Sequence, residues 1–407
     1  METYIYSRYP LLEGEVQRRR PTHAQIDLGA LRGNYRVLKR QAQDRDVMAV
    51  VKANAYGHGL IETARALVEE GIAYFGVGFL EEGIELRKAG VKTPILVLGG
   101  VVGYQAGLFL EYDLDLTVSS IRLARSVAEE VRRAGAGGKA SLRRARVHLK
   151  VDTGMGRIGV SWANALPFIE AALALDELDV VGIYSHLATA DEADPSFTRE
   201  QVDRFRRVLR QADGLKKPIS IRHIANSGAV FQHPESIYNM VRLGISLYGC
   251  SPSAEIEPPV ELKPVLSLRS EVVFVKRVPA ETSISYGATW KTPRETTIAT
   301  VPIGYGDGYP RALSNKAQVL IRGRRLPVVG RICMDQLMVD CGDLRVEVGD
   351  PVTLIGRQDA ERIRAEEVAC WQDTIPYEVT TQINARVPRV FIDEEAKAES
   401  AVRRNFI

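Results

Sequence analysis

"VMAVVKANAYGHGLIETARALVEEG", residues 47–71, contains the repeating unit from which the fold of this chain is predicted. Its first five residues are all apolar, as expected of a buried strand. From Leu60 onward apolar positions recur at helical spacing, and Gly71 follows where a helix would stop. Between these two segments stands Lys52, with no acidic residue in the next five positions. The stretch therefore indicates a strand, a loop that carries a lysine, and a helix.

The same alternation of strand and helix recurs about eight times between residues 22 and 250. It predicts an α/β fold, a (β/α)8 TIM-type barrel, with a doubly wound open sheet as the alternative because alternation does not show closure. No GxGxxG motif follows the first strand, which disfavours the dinucleotide-binding form of the open sheet. The strand-like segments are HAQIDL (23–28), VMAVVKAN (47–54), YFGVGF (74–79), PILVLGG (94–100), DLTVSS (115–120), RVHLKVD (146–152), VVGIYSHLA (180–188), IRHIANS (221–227) and MVRLGISLYG (240–249).

A different pattern begins after about residue 255. The stretch SAEIEPPVELKP (253–264) is polar and rich in proline, which is typical of a linker. Strand-like runs separated by turn residues follow it, with little helical pattern before the C-terminal region. We therefore expect three parts: an N-terminal extension (1–21), a barrel (22–255) and a smaller, mostly β C-terminal domain (256–407).

The composition bounds the class of protein. A chain of 407 residues is too long for one compact core and suggests two domains. Lys and Arg number 54 and Asp and Glu 51, so the net charge is 54 − 51 = +3, too small to indicate a nucleic-acid or membrane partner. The four cysteines lack close spacing, so neither a disulfide framework nor a metal site is expected. With no signal-peptide pattern and no apolar stretch near the ~18 residues of a membrane span, a cytoplasmic protein is predicted.

Polar residues that alternate with apolar ones mark the inside of the predicted barrel, because helices cover its outside. In RVHLKVD these residues are His148, Lys150 and Asp152, which need partners because isolated buried charges are costly. For His148 we expect a structural ion-pair network, whereas Asp152 fits either a structural or a functional use. The glycine-rich turn TGMGRIG then puts Arg157 at the C-terminal face, where barrel enzymes have their sites and where a guanidinium suits a carboxylate.

Further predicted strands place polar groups at the same rim, the C-terminal face of the barrel. VVGIYSHLA presents Tyr184 and His186 inward, and MVRLGISLYG presents Arg242 inward while Ile245 faces outward. The loop HIANSGA offers Ser227 and backbone N–H groups that suit a phosphate. Each signal has a plain alternative, since a barrel arginine is often half of a salt bridge and NSG is often only a turn. Together they predict an anion site around a lysine.

The position of Lys52 suggests a covalent chemistry. Burial lowers the pKa of a lysine towards the neutral amine, which forms an imine with a carbonyl compound. If that carbonyl belongs to pyridoxal phosphate, then a phosphate-binding loop, an aromatic neighbour and a partner for the pyridine nitrogen are all expected nearby. Two alternatives remain open at this point: an aldolase-type Schiff base with the substrate itself, and an ammonium group that simply reaches solvent.

Several motifs together resemble the bacterial alanine racemases, the fold-type III enzymes that depend on pyridoxal phosphate. The resemblance covers about residues 22 to 390, nearly the whole chain. It implies a (β/α)8 barrel with a β domain, an amino-acid racemase activity and a homodimer. The motifs are AVVKANAYGHG (49–59), HLKVDTGMGRIG (148–159), HIANSGA (223–229), VRLGISLYG (241–249), SYGATW (285–290), IGYGDGYPR (303–311) and GRICMDQLMVD (330–340).

The resemblance implies a role for each matching residue. Lys52 would hold the cofactor as a Schiff base and act as the base on the D-face of the substrate, and Tyr286 would be the opposite base, acting on L-alanine. Arg157 would engage the phenolic oxygen of the cofactor and the substrate carboxylate. The remaining matches are the pyridine-nitrogen partner Arg242, the phosphate contacts Tyr56, Ser227, Gly244 and Ile245, the supporting residue His186, the substrate contact Met334, and Lys150, which is often carbamylated in the family and then holds Arg157 in place.

Racemisation explains why two bases are needed, because a planar carbon must be reprotonated from either face. Lysine and tyrosine titrate near about 10, so each must be shifted or act within a hydrogen-bonded relay. Arg242 does not readily yield its proton, so the pyridine ring would stay neutral and be a weaker electron sink. Tyr286 belongs to the second domain, and in the family a two-fold dimer lets each β domain complete the partner's site. Without the resemblance, Tyr286 would be interpreted as a core or turn tyrosine.

One position departs from the family pattern. In TTQINARVPRV the residue before Arg386 is Ala385, where many alanine racemases carry a tyrosine that touches the phosphate and narrows the entrance. Its absence predicts a pocket that is wider, or filled by Asn384 or water. We predict an alanine racemase that supplies D-alanine for peptidoglycan, with a racemase of wider range, acting on serine or lysine, as the first alternative. A fold-type III decarboxylase and a non-catalytic carrier of pyridoxal phosphate are the others.

Overall fold

The computed structural model of the chain describes residues 5–6, 20–136, 144–215 and 217–393. Eight parallel strands form a nearly closed barrel, in which the first seven pair in chain order and the eighth pairs with the first. A hydrogen bond from Arg242 N–H to Ala225 O (3.0 Å) joins the seventh and eighth strands. The predicted barrel is confirmed, and the open sheet is excluded. The barrel strands are Asp46–Val50, Tyr74–Val77, Ile95–Val97, Asp115–Val118, Ala145–Asp152, Leu178–Tyr184, Ile221–His223 and Met240–Leu243.

Helices follow the barrel strands. One further helix, Leu28–Gln41, precedes the first barrel strand, and the Asp27 carboxylate caps it by accepting the N–H groups of Gly29 and Ala30 at 2.9 and 3.1 Å. Among the described residues, no helix is both long and apolar enough to cross a membrane. The α-helices of this region are Leu28–Gln41, Leu60–Glu69, Leu80–Lys88, Ala106–Glu111, Ile121–Ala136, Ala165–Leu173, Ser196–Asp213 and Ser227–Gln232, whereas Lys52–Tyr56 forms a left-handed turn.

Two longer sheets and one short hairpin form the β part of the molecule. The helices Ala365–Gln372 and Pro376–Gln382 interrupt its C-terminal end. The large sheet contains Ile5–Tyr6, Arg389–Ile392, His23–Asp27, Leu266–Glu271, Pro351–Gln358, Gln318–Ile321, Arg324–Pro327 and Glu361–Ile363. The other strands are Phe274–Val278, Thr296–Val301 and Leu337–Gly342 in a three-stranded sheet, Ser283–Ile284 and Trp290–Lys291 in the hairpin, and Val160–Ser161 beside a barrel strand.

Two expectations about strands are wrong. The segment His23–Asp27 is a strand, but it pairs with Leu266–Glu271 and Arg389–Ile392 in the large β sheet instead of the barrel. A strand followed by a helix does not reveal which sheet the strand joins, and this is why the pattern misled. Ile245 does not continue the eighth strand; it begins a 3-10 helix, Ile245–Tyr248, and is fully buried. The division of the chain near residue 255 remains our prediction.

Several barrel strands are short and fully buried, as parallel strands covered by helices require. Every residue of Tyr74–Val77 and of Asp115–Val118 is buried, although the second strand begins with a carboxylate. Polar groups inside the barrel therefore have to find partners there. Their arrangement determines the geometry of the site at the C-terminal ends of the strands.

Candidate active site at the barrel mouth

Lys52 follows directly on the first barrel strand and opens a left-handed turn. Residues 53–56, none of them glycine, all have φ between 52° and 54°. Each such residue costs about 1–2 kcal/mol relative to a right-handed conformation, so the surrounding contacts must hold the turn. The Glu82 carboxylate does this directly by accepting the N–H of Ala53 at 2.6 Å. Glu82 was missed in the sequence, although an acidic pair just after the second barrel strand was a usable signal.

The C-terminal segment supports the same turn from the other side. A side chain at Gly57 would meet Thr380 O at 2.1 Å, so only glycine fits there. Arg389, which is 3% exposed, donates from Nε to Gly57 O at 3.0 Å. Within the turn, Asn54 Oδ1 accepts the N–H of Leu60 at 2.8 Å. Arg389 was also missed, because nothing in the motif RVPR reveals that its guanidinium reaches residues more than three hundred positions earlier.

The Lys52 side chain reaches solvent at the barrel mouth but lies among protein groups and positive charges. Partial burial and the charges of Arg157 and Arg242 lower its pKa, and the Glu82 carboxylate only partly opposes this. Arg157 is exposed on its glycine-rich turn, which Asp152 holds by accepting N–H groups of that turn. The lowered pKa favours the neutral, nucleophilic amine that the sequence predicted.

Lys150 lies inside the barrel, as predicted, and is 4% exposed. Its Nζ is 4.1 Å from the ring centroid of Tyr184. Burial lowers the pKa of Lys150 well below its usual value, and the charges of Arg242 and Arg157 add to this. Of the residues predicted to face inward on this strand, His148 lies 3.4 Å from Asp115 in an interior network whose ion pair joins Asp115 to Arg146, while Asp152 ends the strand and serves the Arg157 turn.

Arg242 is buried, and both Nη atoms of its guanidinium contact neighbouring protein groups. Nη1 donates to His223 Nδ1 at 2.9 Å, and Nη2 donates to the carbonyl oxygens of Ser185 and Ile224, both at 2.9 Å. Nη2 also lies 3.1 Å from His186 Nδ1, which confirms the predicted proximity of His186. Burial lowers the pKa of Arg242 to about 10. Its Nε has no hydrogen-bond partner among the described residues, so this edge can donate to a ligand.

Four predicted phosphate contacts come together beside this arginine. Gly244 N–H donates to Ser227 Oγ at 3.0 Å, and a side chain at Gly244 would meet the Tyr56 hydroxyl at 2.7 Å. Ile245 begins a 3-10 helix, so its N–H has no partner within that helix. The Tyr56 ring packs 5.1 Å from the ring of Tyr248. The hydroxyls of Tyr56 and Ser227 and the N–H of Ile245 fit a phosphate, and the described ranges contain no cluster of three or more His, Cys, Asp or Glu residues that could hold a metal ion.

Tyr286 and Met334 lie on the β domain and are 67% and 52% exposed. Their loops are joined, because the Ser285 hydroxyl donates to Arg331 O and the N–H of Gly306 donates to Met334 O at 2.9 Å. Across the part of the chain that the structure describes, no hydrogen bond or ring contact connects Tyr286 with Lys52. A single chain therefore does not join the two predicted bases.

Ala385 is exposed on a segment tied to the same β-domain loops. The Asn384 side chain donates to Gly306 O at 2.7 Å and accepts the N–H of Arg386 at 2.9 Å. Arg386 in turn pairs with Asp335 at 2.6 Å. The Asn384 amide is thus engaged locally, next to the turn that carries Met334.

Comparison with known proteins identifies the family. The profile of the alanine racemase N-terminal domain matches residues 26–252, and that of the C-terminal domain matches residues 265–391. The chain belongs to the alanine racemase family. Members of this family are isomerases, and the family implies pyridoxal phosphate as the cofactor. The membership gives no support to the decarboxylase or carrier alternatives.

Individual relatives agree with this assignment. An alanine racemase of Symbiobacterium thermophilum is 48% identical over 378 residues, covering 93% of this chain and 98% of the relative. The crystal structure of alanine racemase from Bacillus anthracis with bound L-Ala-P has a TM-score of 0.85 and 39% identity, over 92% of this chain and 95% of that one. A histidine racemase from Leuconostoc mesenteroides is also similar, with a TM-score of 0.84 and 32% identity, over 92% of this chain and 99% of that one.

Proposed function

We propose that this protein interconverts L- and D-alanine with pyridoxal phosphate bound at the barrel mouth and with Lys52 and Tyr286 as the two bases. The observation that carries the proposal is the grouping of a lysine of lowered pKa, a buried arginine with a free Nε and a set of hydroxyl and N–H donors around one barrel mouth. This combination fits the cofactor better than it fits an aldolase-type site, because a substrate bound directly to Lys52 would leave the phosphate contacts without a purpose.

The residues present suit each end of the cofactor. Tyr56, Ser227, Gly244 and Ile245 would hold the phosphate, and Arg242 Nε would donate to the pyridine nitrogen. When bound, pyridoxal phosphate supplies an aldehyde for the amine and a conjugated ring that withdraws electrons from the substrate Cα. Arg242 retains its proton, because even its lowered pKa of about 10 lies well above neutrality. Arg242 would therefore donate a hydrogen bond to the ring nitrogen without giving up its proton.

The substrate is positioned by charge and its Cα proton is moved by Lys52. The exposed guanidinium of Arg157 offers a planar pair of donors that match the substrate carboxylate. Lys52, with its pKa lowered towards the operating pH, can take up the Cα proton from the D-face and return it. Met334 and Tyr286 would close the opposite face and bring the second base.

We infer that the second face comes from another copy of the chain. Tyr286 and Met334 are exposed, whereas a base must lie within hydrogen-bond reach of the proton that it removes. A two-fold homodimer solves this, since each β domain then meets the partner's barrel mouth in a self-complementary contact. This arrangement agrees with the homodimer that the family resemblance predicts.

Hybrid dimers test the shared sites. If Lys52 and the partner subunit's Tyr286 form each site, a dimer of one Lys52→Ala chain and one Tyr286→Phe chain has one doubly defective site and one intact site. Co-expression of the two inactive chains should therefore restore up to about half of the activity of a normal dimer. Activity no greater than that of the two variants mixed as homodimers would contradict the sharing.

Lys150 is proposed to be carbamylated, so that its side chain holds Arg157. The neutral amine, favoured by burial, adds to the carbon of CO2; an N–C bond forms, one C=O π bond becomes a carboxylate oxygen, and the nitrogen releases a proton. The product would lie beside the positive charges of Arg157 and Arg242, which would stabilise it. Labelling with 13C-bicarbonate should give a carbamate signal that is absent in Lys150→Arg.

A racemase of wider substrate range is the second candidate, favoured by Ala385. A methyl group at this exposed position cannot narrow an entrance as a tyrosine would, and Asn384 is already engaged by Gly306 and Arg386. Larger amino acids would then enter more easily. Rates with alanine, serine and lysine decide between the candidates, and a higher kcat/KM with serine or lysine would displace alanine as the principal substrate.

The cellular role follows from the proposed reaction. D-alanine formed by this enzyme would supply peptidoglycan precursors, and we propose that the enzyme acts in the cytoplasm. Growth of a strain without its own alanine racemase, with this chain expressed and no D-alanine in the medium, tests the role. Failure to grow despite measurable racemase activity in an extract would contradict it.

A further inference from the structure

A column of four buried side chains continues from Arg242 into the barrel interior. Arg242 Nη1 lies 2.9 Å from His223 Nδ1, and His223 Nε2 lies 3.1 Å from His148 Nδ1. His148 Nε2 then lies 3.4 Å from Asp115 Oδ2. No member of this column is more than 4% exposed. The four residues come from four different barrel strands, so the column spans the interior of the barrel.

The two ends of the column fix the proton positions between them. A guanidinium only donates hydrogen bonds and a carboxylate only accepts them. His223 must therefore present a bare Nδ1 to Arg242 and carry its proton on Nε2. His148 must likewise accept at Nδ1 and carry its proton on Nε2, towards Asp115. Both histidines are then neutral, and burial beside Arg242 does lower the pKa of His223 well below its usual value.

Asp115 is itself held as an acceptor. Arg146 donates from Nε to Asp115 Oδ1 at 2.9 Å, and the Tyr74 hydroxyl donates to Oδ2. Burial alone would raise the pKa of Asp115, but the hydrogen bonds from His148 and Arg146 hold it below its usual value. Because the Tyr74 proton is directed to Asp115, it cannot also reach His148 Nε2, 3.3 Å away. The carboxylate therefore accepts hydrogen bonds from three residues, Arg146, Tyr74 and His148, and donates none.

We propose that Asp115 is a positioning residue for Arg242, acting through the tautomers of His148 and His223. The proposal rests on the proposed function, in which Arg242 faces the cofactor ring. By keeping His223 Nδ1 bare, Asp115 keeps Nη1 of Arg242 engaged away from the mouth and Nε free to donate towards it. If the tautomers reverse, the N–H at His223 Nδ1 points at the N–H of Arg242 Nη1. Two donors then face each other, so the guanidinium has to shift.

Asp115→Asn reverses the chemistry with little change of shape. Arg146 donates to Oδ1 from Nε at 2.9 Å and to Oδ2 from Nη2 at the longer distance of 3.3 Å, so the amide oxygen would take the Oδ1 position and the NH2 group would face Tyr74 and His148. His148 Nε2 would then have to accept, which moves its proton to Nδ1 and forces the same change on His223. Tyr74→Phe is the matched control, because it removes a hydroxyl from the same cluster and leaves the carboxylate as the acceptor.

Histidine tautomers give a readout that does not depend on activity. Long-range 1H–15N spectra of the holoenzyme, labelled with 15N-histidine, should show His148 and His223 in the neutral Nε2–H form, with assignments from His148→Asn and His223→Asn. Asp115→Asn should move both to the Nδ1–H form, and Tyr74→Phe should leave both unchanged. A protonated or Nδ1–H form of either histidine in the wild type would overturn the proposal, even if Asp115→Asn failed to fold.

Kinetics then show whether the column acts on Arg242. For Asp115→Asn we expect kcat to fall about 10- to 100-fold, by analogy with the residues that orient metal ligands, with KM changed far less. Tyr74→Phe should retain most of kcat. Reversed tautomers with an unchanged kcat would overturn the positioning role, as would a reduced kcat with unchanged tautomers. A wild-type enzyme inactive on every amino acid would instead refute the proposed function and leave the tautomer result standing.

Discussion

The barrel mouth and the exposed face of the β domain carry the two halves of the proposed site, and the chain holds them differently. At the mouth, Tyr56, Lys150 and Arg242 are at most 7% exposed, and their positions are set by packing and hydrogen bonds within one chain. On the β-domain face, Tyr286 and Met334 are more than half exposed. Folding of one chain thus positions the groups at the barrel mouth, whereas the groups on the β-domain face need a surface from outside that chain to be covered. We infer that catalysis depends on folding for one base and on assembly for the other.

Removal of the base at the mouth should have the largest effect. Lys52→Ala should abolish the visible absorption of the loaded protein and lower racemisation at least about 1,000-fold, because it removes both the covalent attachment and a general base. The measurements are a visible spectrum and the rate of loss of optical rotation. Lys88→Ala, at an exposed helical lysine, should change neither. A visible band that persists in Lys52→Ala would remove Lys52 from this role.

Removal of Tyr286, the proposed base on the β-domain face, should lower hydrogen exchange unequally for the two enantiomers of alanine. In Tyr286→Phe, incorporation of solvent deuterium into L-alanine should fall about 100- to 10,000-fold, and incorporation into D-alanine far less, because Lys52 still serves the D-face. Racemisation should fall equally in both directions, since the two enantiomers are equal in energy. Tyr305→Phe, at another exposed tyrosine of this face, should retain both exchange rates. Equal losses of exchange would contradict the assignment of the two faces.

Replacement of Arg389 tests how far the stability of the barrel mouth depends on the C-terminal segment. Its buried guanidinium donates to the carbonyl oxygens of Gly57, Asn384, Val387 and Ile383. Arg389→Met should lower the free energy of unfolding by about 3 kcal/mol or more, because these acceptors would lose their donor. The urea midpoint measures the loss. Arg277→Met, which breaks an exposed ion pair with Glu295, should move the midpoint much less, and equal shifts would contradict the clamp.

His58, which lies beneath the barrel mouth, should have a smaller, pH-dependent effect on the free energy of unfolding. Burial lowers the pKa of His58 to about 4. The His58 imidazole binds a proton below about pH 6.5 in the unfolded chain but only below about pH 4 in the folded chain. The contribution of neutral His58 to the free energy of unfolding is therefore complete above pH 6.5 and is lost as the pH falls from 6.5 towards 4. The slope is at most about 1.4 kcal/mol per pH unit. His58→Gln should flatten the fall in unfolding free energy over this interval, and parallel curves for the two proteins would refute the assignment.

The interior of the barrel was largely readable from the sequence, because alternation along a parallel strand assigns each side chain to one face. His148, Lys150, Tyr184 and Arg242 all lie inside, as the pattern predicted. The strand His23–Asp27 was assigned to the wrong sheet, because a local pattern contains no information about which strands will be its neighbours. The role of Arg389 was missed for the same reason, since it acts through a contact more than three hundred residues away in the chain, whereas Glu82 had a local signal that was overlooked.

What the sequence determined by itself is therefore the periodic part of the protein: the barrel, the lysine at the end of its first strand and the polar residues that turn inward. These follow from side-chain direction and burial, which neighbouring residues already encode. The left-handed turn at residues 53–56 and the column from Asp115 to Arg242 were decided only in the tertiary structure. Both depend on groups from several strands that meet at hydrogen-bond distance, and that proximity arises only when the barrel closes.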